Sequence, residues 1–173
     1  MQLAGNVYRV ILNLFLLLGG VGFLCVFIAY VGALFHLNWL ADPLMQPLVP
    51  GLFAVWLPTV LLASRMVRFG KNRDFWKIVL SGCPSWMQRG LYGVMAFGVL
   101  SFFYFVVLNN QRTKSEALFA GGHLMIFYGV AFCVMYSALH APALLSTRKC
   151  LVGHLVSPLD TFCPTCGREL PPA

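Results

Sequence analysis

Four long apolar segments without a charged side chain constrain this chain more than any other feature. They run from Val10 to Phe35, Leu44 to Ser64, Gly90 to Leu108 and Ala117 to Leu145. A helix of about 20 apolar residues crosses the hydrocarbon core of a bilayer. The segments therefore predict four transmembrane helices. We expect them near 8–36, 50–68, 88–109 and 121–145.

The composition supports a membrane protein and excludes a soluble enzyme, a disordered chain and a collagen-like chain. Apolar residues make up 60% of the chain and charged residues 10%, against roughly 45–50% and about 25% in ordinary globular proteins. The predicted fold class is therefore an all-α integral membrane protein, with a four-transmembrane-helix bundle in residues 1–147. In the second helix, Pro47 and Pro50 are expected before or at its start, and Pro58 is expected to kink it.

The distribution of lysine and arginine predicts the orientation in the membrane. Of the 12 Lys and Arg, only Arg112 and Lys114 lie in the segment between the third and fourth predicted helices. The other cations fall on the opposite side, which the positive-inside rule assigns to the cytosol. We expect a multi-pass protein of a bacterial inner membrane with both termini cytosolic. The net charge of +7 is then a topology signal that faces anionic lipid headgroups, and it does not favour nucleic-acid binding.

The loop between the second and third predicted helices contains a short amphipathic segment near 71–81. Its apolar residues, Phe75, Trp76, Val79 and Leu80, share one side of a helix, whereas Arg73 and Lys77 lie on the other. Such a helix is expected to lie in the plane of the inner headgroups. A docking surface for a partner is the alternative.

The C-terminal tail, residues 148–173, contains a metal-binding pattern. Cys150, His154, Cys163 and Cys166 are spaced C-x3-H-x8-C-x2-C. Three thiolates and one imidazole form a tetrahedral set that is typical of structural Zn²⁺ sites. Because protein ligands would fill all four positions, the predicted site has no open position for catalysis.

Two glycines and the shortness of the tail strengthen this prediction. Gly153 and Gly167 stand where metal-binding knuckles need backbone angles that other residues rarely adopt. The tail is too short to bury a hydrophobic core, so metal binding would contribute most of its folding free energy. Thiolate charge at the site would be offset by the neighbouring Arg148, Lys149 and Arg168.

The tail resembles the short zinc ribbons that begin or end many bacterial proteins. The likeness rests on a C-x-x-G-H half, Cys150-Leu-Val-Gly-His154, and on an F-C-P-x-C-G half that ends at Gly167. Leu-Val stands where Pro-Asn usually follows the first cysteine. The resemblance implies that His154 replaces a cysteine as ligand. A thioredoxin-like redox pair of Cys163 and Cys166 is the alternative, although no βαβ pattern surrounds it and a cytosolic location disfavours a disulfide.

The remaining cysteines and histidines offer weaker candidates. Cys25 and Cys133 are expected to pack as small apolar residues, and Cys83 is an alternative ligand on the cytosolic side. His36 and His123 are both predicted at the outer face, where they could form a bis-histidine haem or metal site. Histidines that bond to headgroups or backbone are the preferred interpretation.

The fourth predicted helix carries a stripe of small residues at every fourth position. Its members are Gly129, Cys133, Ser137 and Ala141. Such stripes allow membrane helices to approach closely. The contact is expected within the bundle, and a homo-oligomer interface is the alternative.

These features favour a non-enzymatic membrane protein that presents a structural zinc module to a cytosolic or membrane partner. An adaptor, an assembly factor and an accessory subunit all fit this description, which rests partly on analogy with other zinc ribbons. A channel or transporter subunit is the second hypothesis, which the absence of Asp and Glu from the predicted spans disfavours. A membrane redox protein with a histidine-ligated haem or metal is the third.

Overall fold

The described part of the chain forms five helices followed by a small β-hairpin tail. The structure is a computed structural model that describes residues 2–67, 75–104, 116–141, 148–156, 161–163 and 165–170. The helices and strands have these bounds in chain order: α1 Gln2–Leu34, α2 Asn38–Val67, α3 Phe75–Val79, α4 Ser85–Phe103, α5 Glu116–His140, β1 Arg148–Lys149 and β2 Leu155–Val156. All regular structure in the described residues before the tail is helical, in agreement with the predicted class.

Three of the helices are long and apolar enough to cross a membrane. Their apolar spans are Val7–Leu34, Pro43–Val67 and Ala120–His140. They support a membrane protein. The remaining predicted span, near 88–109, corresponds to α4, which begins with a polar turn containing Gln88 and Arg89. Its predicted continuation through residues 105–109 lies outside the described residues.

The second helix begins well before the position predicted from the sequence. It starts at Asn38 instead of near residue 50, so that Pro43, Pro47 and Pro50 lie inside the helix together with Pro58. In a helix packed against others, neighbouring groups can satisfy the backbone that a proline leaves unpaired. Contacts with α5 hold this proline-rich half in place, because the Tyr128 hydroxyl donates to the Leu48 carbonyl at 2.8 Å. The start predicted near residue 50 therefore differs from the observed start, because the tertiary structure tolerates prolines inside this helix.

Helix α5 is the centre of the bundle. It packs against α1, α2 and α4, and 67% of its apolar span is buried, against 22% for the spans in α1 and α2. Its side chains Ala131, Met135 and Ser137 have no exposed surface. The outer helices therefore direct most of their apolar surface away from the protein, where a lipid would cover it.

The short helix α3 is packed into the bundle instead of lying only on its surface. Phe75–Val79 contacts α2 and α5, and Ile78, Val79 and Leu80 are almost completely buried in the core. Lys77 is exposed, as expected for the polar side. Arg73 and the rest of the predicted helical segment 71–74 lie outside the described residues. The apolar side of α3 is thus covered by protein.

The turn after α3 rests directly on the small-residue stripe of α5. The backbone N–H of Gly82 donates to the Ser137 hydroxyl at 3.0 Å, and the Cys83 thiol donates to the Cys133 carbonyl at 3.1 Å. One helical turn before Cys133, Gly129 faces Leu91 of α4 and Phe23 of α1. The stripe is therefore used for close packing within the chain.

Candidate metal centre

The first half of the tail is a tight knuckle between Cys150 and His154. The Gly153 N–H donates to the Cys150 carbonyl at 2.8 Å, and the Cys150 N–H donates to the His154 carbonyl at 2.9 Å. Gly153 has a φ of 92°, which a residue with a Cβ rarely adopts. The expectation for this glycine is confirmed. The turn directs the side chains of Cys150 and His154 toward one point.

The second half repeats this geometry around Cys163. Here the Gly167 N–H donates to the Cys163 carbonyl at 2.8 Å, and the Cys163 N–H donates to the Arg168 carbonyl at 2.8 Å. Gly167 has a φ of 70°, so its expected role is also confirmed. Two similar turns therefore each present a pair of ligand side chains.

A minimal β framework closes each knuckle at its base. Strands β1 and β2 pair antiparallel beside the first knuckle, and a single β-bridge joins Phe162 and Glu169 beside the second. The only cluster of buried residues that this framework encloses in the described tail contains Cys150, Val156, Cys163 and Leu170. Two of its four members are candidate ligands. So small a core cannot compensate the conformational entropy of ordering the tail, and a bound metal would supply the missing free energy.

The four predicted ligands meet at a single point. One ligand atom each from Cys150, His154, Cys163 and Cys166 lies within 4.8 Å of all the others. The sulfurs of Cys150 and Cys166 are 3.9 Å apart. The His154 Nδ1 lies 3.5 Å from the Cys150 sulfur and 3.8 Å from the Cys163 sulfur. The cluster can therefore hold a metal ion, and His154 would use Nδ1.

These separations match the edges of a zinc tetrahedron. Zn–S bonds of about 2.3 Å and Zn–N bonds of about 2.0–2.1 Å place two sulfurs roughly 3.8 Å apart and sulfur and nitrogen roughly 3.6 Å apart. A disulfide needs an S–S distance near ~2.05 Å, and all six cysteines of the chain are free thiols in the structure. The arrangement is therefore compatible with a bound metal ion and not with a disulfide.

The knuckle backbone prepares one thiol for metal binding. Burial raises the pKa of the Cys163 thiol, but hydrogen bonds from the Cys166 and Thr165 amides and from the Cys166 and His154 side chains lower that pKa to about 6. For Cys166 the Arg168 amide acts to lower the pKa, but the neighbouring Cys163 thiol, burial and Cys150 raise it overall. Because the thiols lie so close together, one of them loses its proton before the others. A cation bound at the centre would stabilise the further thiolates.

The other sequence candidates lie apart from this centre. Cys83 and Cys133 are buried against each other between α5 and the turn after α3, and Cys25 is half-buried in α1. In the part of the chain that the structure describes, the tail cluster is the one group of three or more close Cys, His, Asp or Glu ligands. Cys83 is therefore not a ligand in this arrangement, and the expectation that Cys133 packs in the core is confirmed.

The histidines outside the tail contact aromatic rings or end a helix. His123 meets Phe102 edge-on with ring centroids 5.4 Å apart. His140 stacks on Tyr136 at 3.9 Å, and its Nδ1 lies 2.9 Å from the Tyr136 carbonyl oxygen. His36 follows α1 with a φ of 59° and is exposed. None of these observations provides a ligand set for haem.

The exposed tip of the first knuckle is a feature that the sequence pattern alone did not identify. Leu151 is 85% exposed and Val152 is 53% exposed, although both are apolar. The signal was present in the sequence, because this Leu-Val pair replaces the Pro-Asn that usually follows the first cysteine of the zinc ribbons that the tail resembles. The tail thus displays two aliphatic side chains that its own fold does not bury.

Comparison with known proteins finds no matching family model, no matching curated protein and no matching solved structure. Within the described residues, the features that bear on function are the cluster of three cysteines and one histidine, the exposed tip beside it and the three apolar helices that can span a membrane.

Proposed function

We propose that Cys150, His154, Cys163 and Cys166 bind one structural Zn²⁺. The support is the agreement of their mutual distances with a tetrahedral set of three sulfurs and one nitrogen. Four protein ligands leave no position for a water or a substrate, which is the arrangement of structural and not of catalytic zinc. The metal would hold the two knuckles as one rigid unit.

We further propose that this unit is the cytosolic end of a four-span bundle. In this arrangement α4 is the remaining span and packs beside α5. Helices α1 and α2 are joined by a short turn at 35–37 and are therefore antiparallel. Both termini then share the side that carries most of the Lys and Arg, which is the cytosolic side of a bacterial inner membrane.

Impermeant thiol reagents applied to intact cells test this topology. Ser115→Cys, in the segment between α4 and α5, is expected to be labelled from outside. Pro172→Cys, near the C-terminus, is expected to be labelled only after the cells are opened. The unsubstituted chain gives the background from its own thiols. Labelling of Pro172→Cys in intact cells would refute a cytosolic tail.

The function that the geometry supports best is that of a non-enzymatic adaptor, assembly factor or accessory subunit. The observation that carries this proposal is the exposure of Leu151 and Val152 at the tip of the first knuckle. Two adjacent exposed aliphatic side chains on so small a module form an apolar surface that a protein partner can cover. The membrane helices hold the module at the bilayer, and the knuckle tip contacts a protein partner.

Site-specific photo-crosslinking tests the partner contact. A photoreactive residue at Val152 is expected to give a discrete protein adduct in native membranes, whereas the same residue at the exposed Thr161 should give little. Burying the Leu151 side chain against a partner would contribute about 1.5–3 kcal/mol to the free energy of binding. Leu151→Ser should therefore reduce the Val152 adduct by roughly tenfold or more.

Metal removal provides a second arm of the same experiment. Treatment with a chelator is expected to abolish the Val152 adduct, because the tip is ordered only in the folded knuckle. An equal adduct from Val152 and Thr161, or an adduct from Val152 that survives both Leu151→Ser and metal removal, contradicts a specific contact at the tip.

A further inference from the structure

An apolar groove lies between α1 and α2 at the end of the bundle where both carry an arginine. It has a volume of about 170 Å³, well below the roughly 300–1,000 Å³ of sites for whole small molecules. Its walls are aliphatic and aromatic side chains of both helices, such as Leu12, Phe15 and Leu61. An open apolar groove of this size fits a stretch of hydrocarbon chain.

One end of the groove is polar and basic. Tyr8 and Arg65 line it, and because α1 and α2 are antiparallel, these two residues share one end while Phe15 and Pro58 share the other. The wall between Tyr8 and Phe15 extends for about 10 Å at 1.5 Å per residue. The groove therefore has an apolar interior and a mouth that can contact an anion.

Neither groove helix places a carboxylate near the Arg65 guanidinium at this mouth. Helix α1 contains no Asp or Glu, and α2 contains only Asp42, about 35 Å from Arg65 along the helix. Arg65 is exposed, as are Ile11 and Leu61 beside it. A guanidinium and a phenol hydroxyl together offer several hydrogen-bond donors to a phosphate oxygen.

We propose that this groove binds one anionic phospholipid. Its phosphate contacts the Arg65 guanidinium and the Tyr8 hydroxyl, and part of one acyl chain lies along the groove toward Phe15 and Pro58. Charge complementarity selects the headgroup, and the apolar walls select a lipid over a free phosphate. The exposed outer faces of α1 and α2 allow entry from the surrounding bilayer. This site is independent of the zinc module.

Native mass spectrometry of the full chain released from lipid nanodiscs tests the headgroup contact. The protein is expected to retain one phosphatidylglycerol and to retain phosphatidylcholine at least about fivefold less. Arg65→Gln should reduce phosphatidylglycerol retention by about fivefold, the factor expected for one cation at an anionic surface. Arg89→Gln is the matched control on α4 and should have no effect. Equal retention of the two lipids, or equal effects of the two substitutions, would overturn the proposal.

Filling the groove tests the acyl-chain contact. Leu61→Trp places an indole in the groove and is expected to reduce phosphatidylglycerol retention by about tenfold, whereas Val60→Trp, at the same depth on another face of α2, should leave it unchanged. Inorganic phosphate in millimolar excess should not displace the lipid. Displacement by phosphate, or retention in Leu61→Trp equal to that in Val60→Trp, would show that the hydrocarbon does not occupy the groove.

Discussion

Replacing Cys163 by serine is expected to remove the metal from the purified protein and to leave residues 148–170 sensitive to protease. Cys163 is 1% exposed and belongs both to the ligand cluster and to the four-residue core of the tail. Structural zinc sites contribute about 10–16 kcal/mol of apparent binding free energy, far more than so small a core can supply. Elemental analysis should fall from about one zinc per chain to near zero.

The helical part should be insensitive to this loss. The described tail contains no residue of the two core clusters of the bundle, so the melting temperature of the helices in detergent should not change. Cys25→Ser, a thiol in α1 away from the cluster, is the matched control and should keep both the zinc and the protease-resistant tail. His154→Cys should also retain zinc, because a set of four cysteines is an equally common structural site.

Two results would count against the zinc centre. The first is unsubstituted protein that contains no zinc although it was purified under reducing conditions without chelator. The second is Cys163→Ser protein that keeps as much zinc as the Cys25→Ser control.

Replacing Gly82 by alanine is expected to destabilise the helical bundle by about 3 kcal/mol, at the upper end of overpacking costs. A Cβ at this position would lie 2.6 Å from the Ser137 carbonyl oxygen and 2.8 Å from the Ser137 Cα. Both are main-chain atoms of a fully buried residue in the last turn of α5, so they cannot move aside as a flexible side chain would. Relief requires that the turn after α3 withdraw from α5. That movement would also break the Gly82–Ser137 and Cys83–Cys133 hydrogen bonds.

Gly93→Ala on α4 is the matched control, because its added methyl group would meet no atom within 4 Å. Alanine is favoured over glycine in a helix by about 1 kcal/mol, so this variant should melt at or above the temperature of the unsubstituted protein. The double variant Gly82→Ala/Ser137→Ala should not recover stability, since the two closest atoms remain. A Gly82→Ala protein that melts like the Gly93→Ala control would show that the α3–α5 contact is not tight.

Local sequence patterns were sufficient for α1, for α5 and for the two knuckles. The apolar runs predicted where α1 and α5 lie, because a membrane-spanning helix must be apolar along its whole length. The Cys-x-x-Cys and Cys-x3-His spacings, each followed or interrupted by glycine, predicted both turns, since such turns are closed by hydrogen bonds between residues only a few positions apart. Gly153 and Gly167 have the positive φ angles that this reasoning required.

The arrangement of these parts depended on contacts between distant residues. Helices that are apolar on every side carry no pattern that tells which one is central, so the burial of α5 and the peripheral positions of α1 and α2 emerge only from packing. The sequence did not predict the start of α2 at Asn38, because the effect of its prolines on the helix depends on neighbours such as Tyr128. Likewise, the groove at Arg65 needs residues of α1 and α2 that lie far apart in the chain, which no local spacing can place.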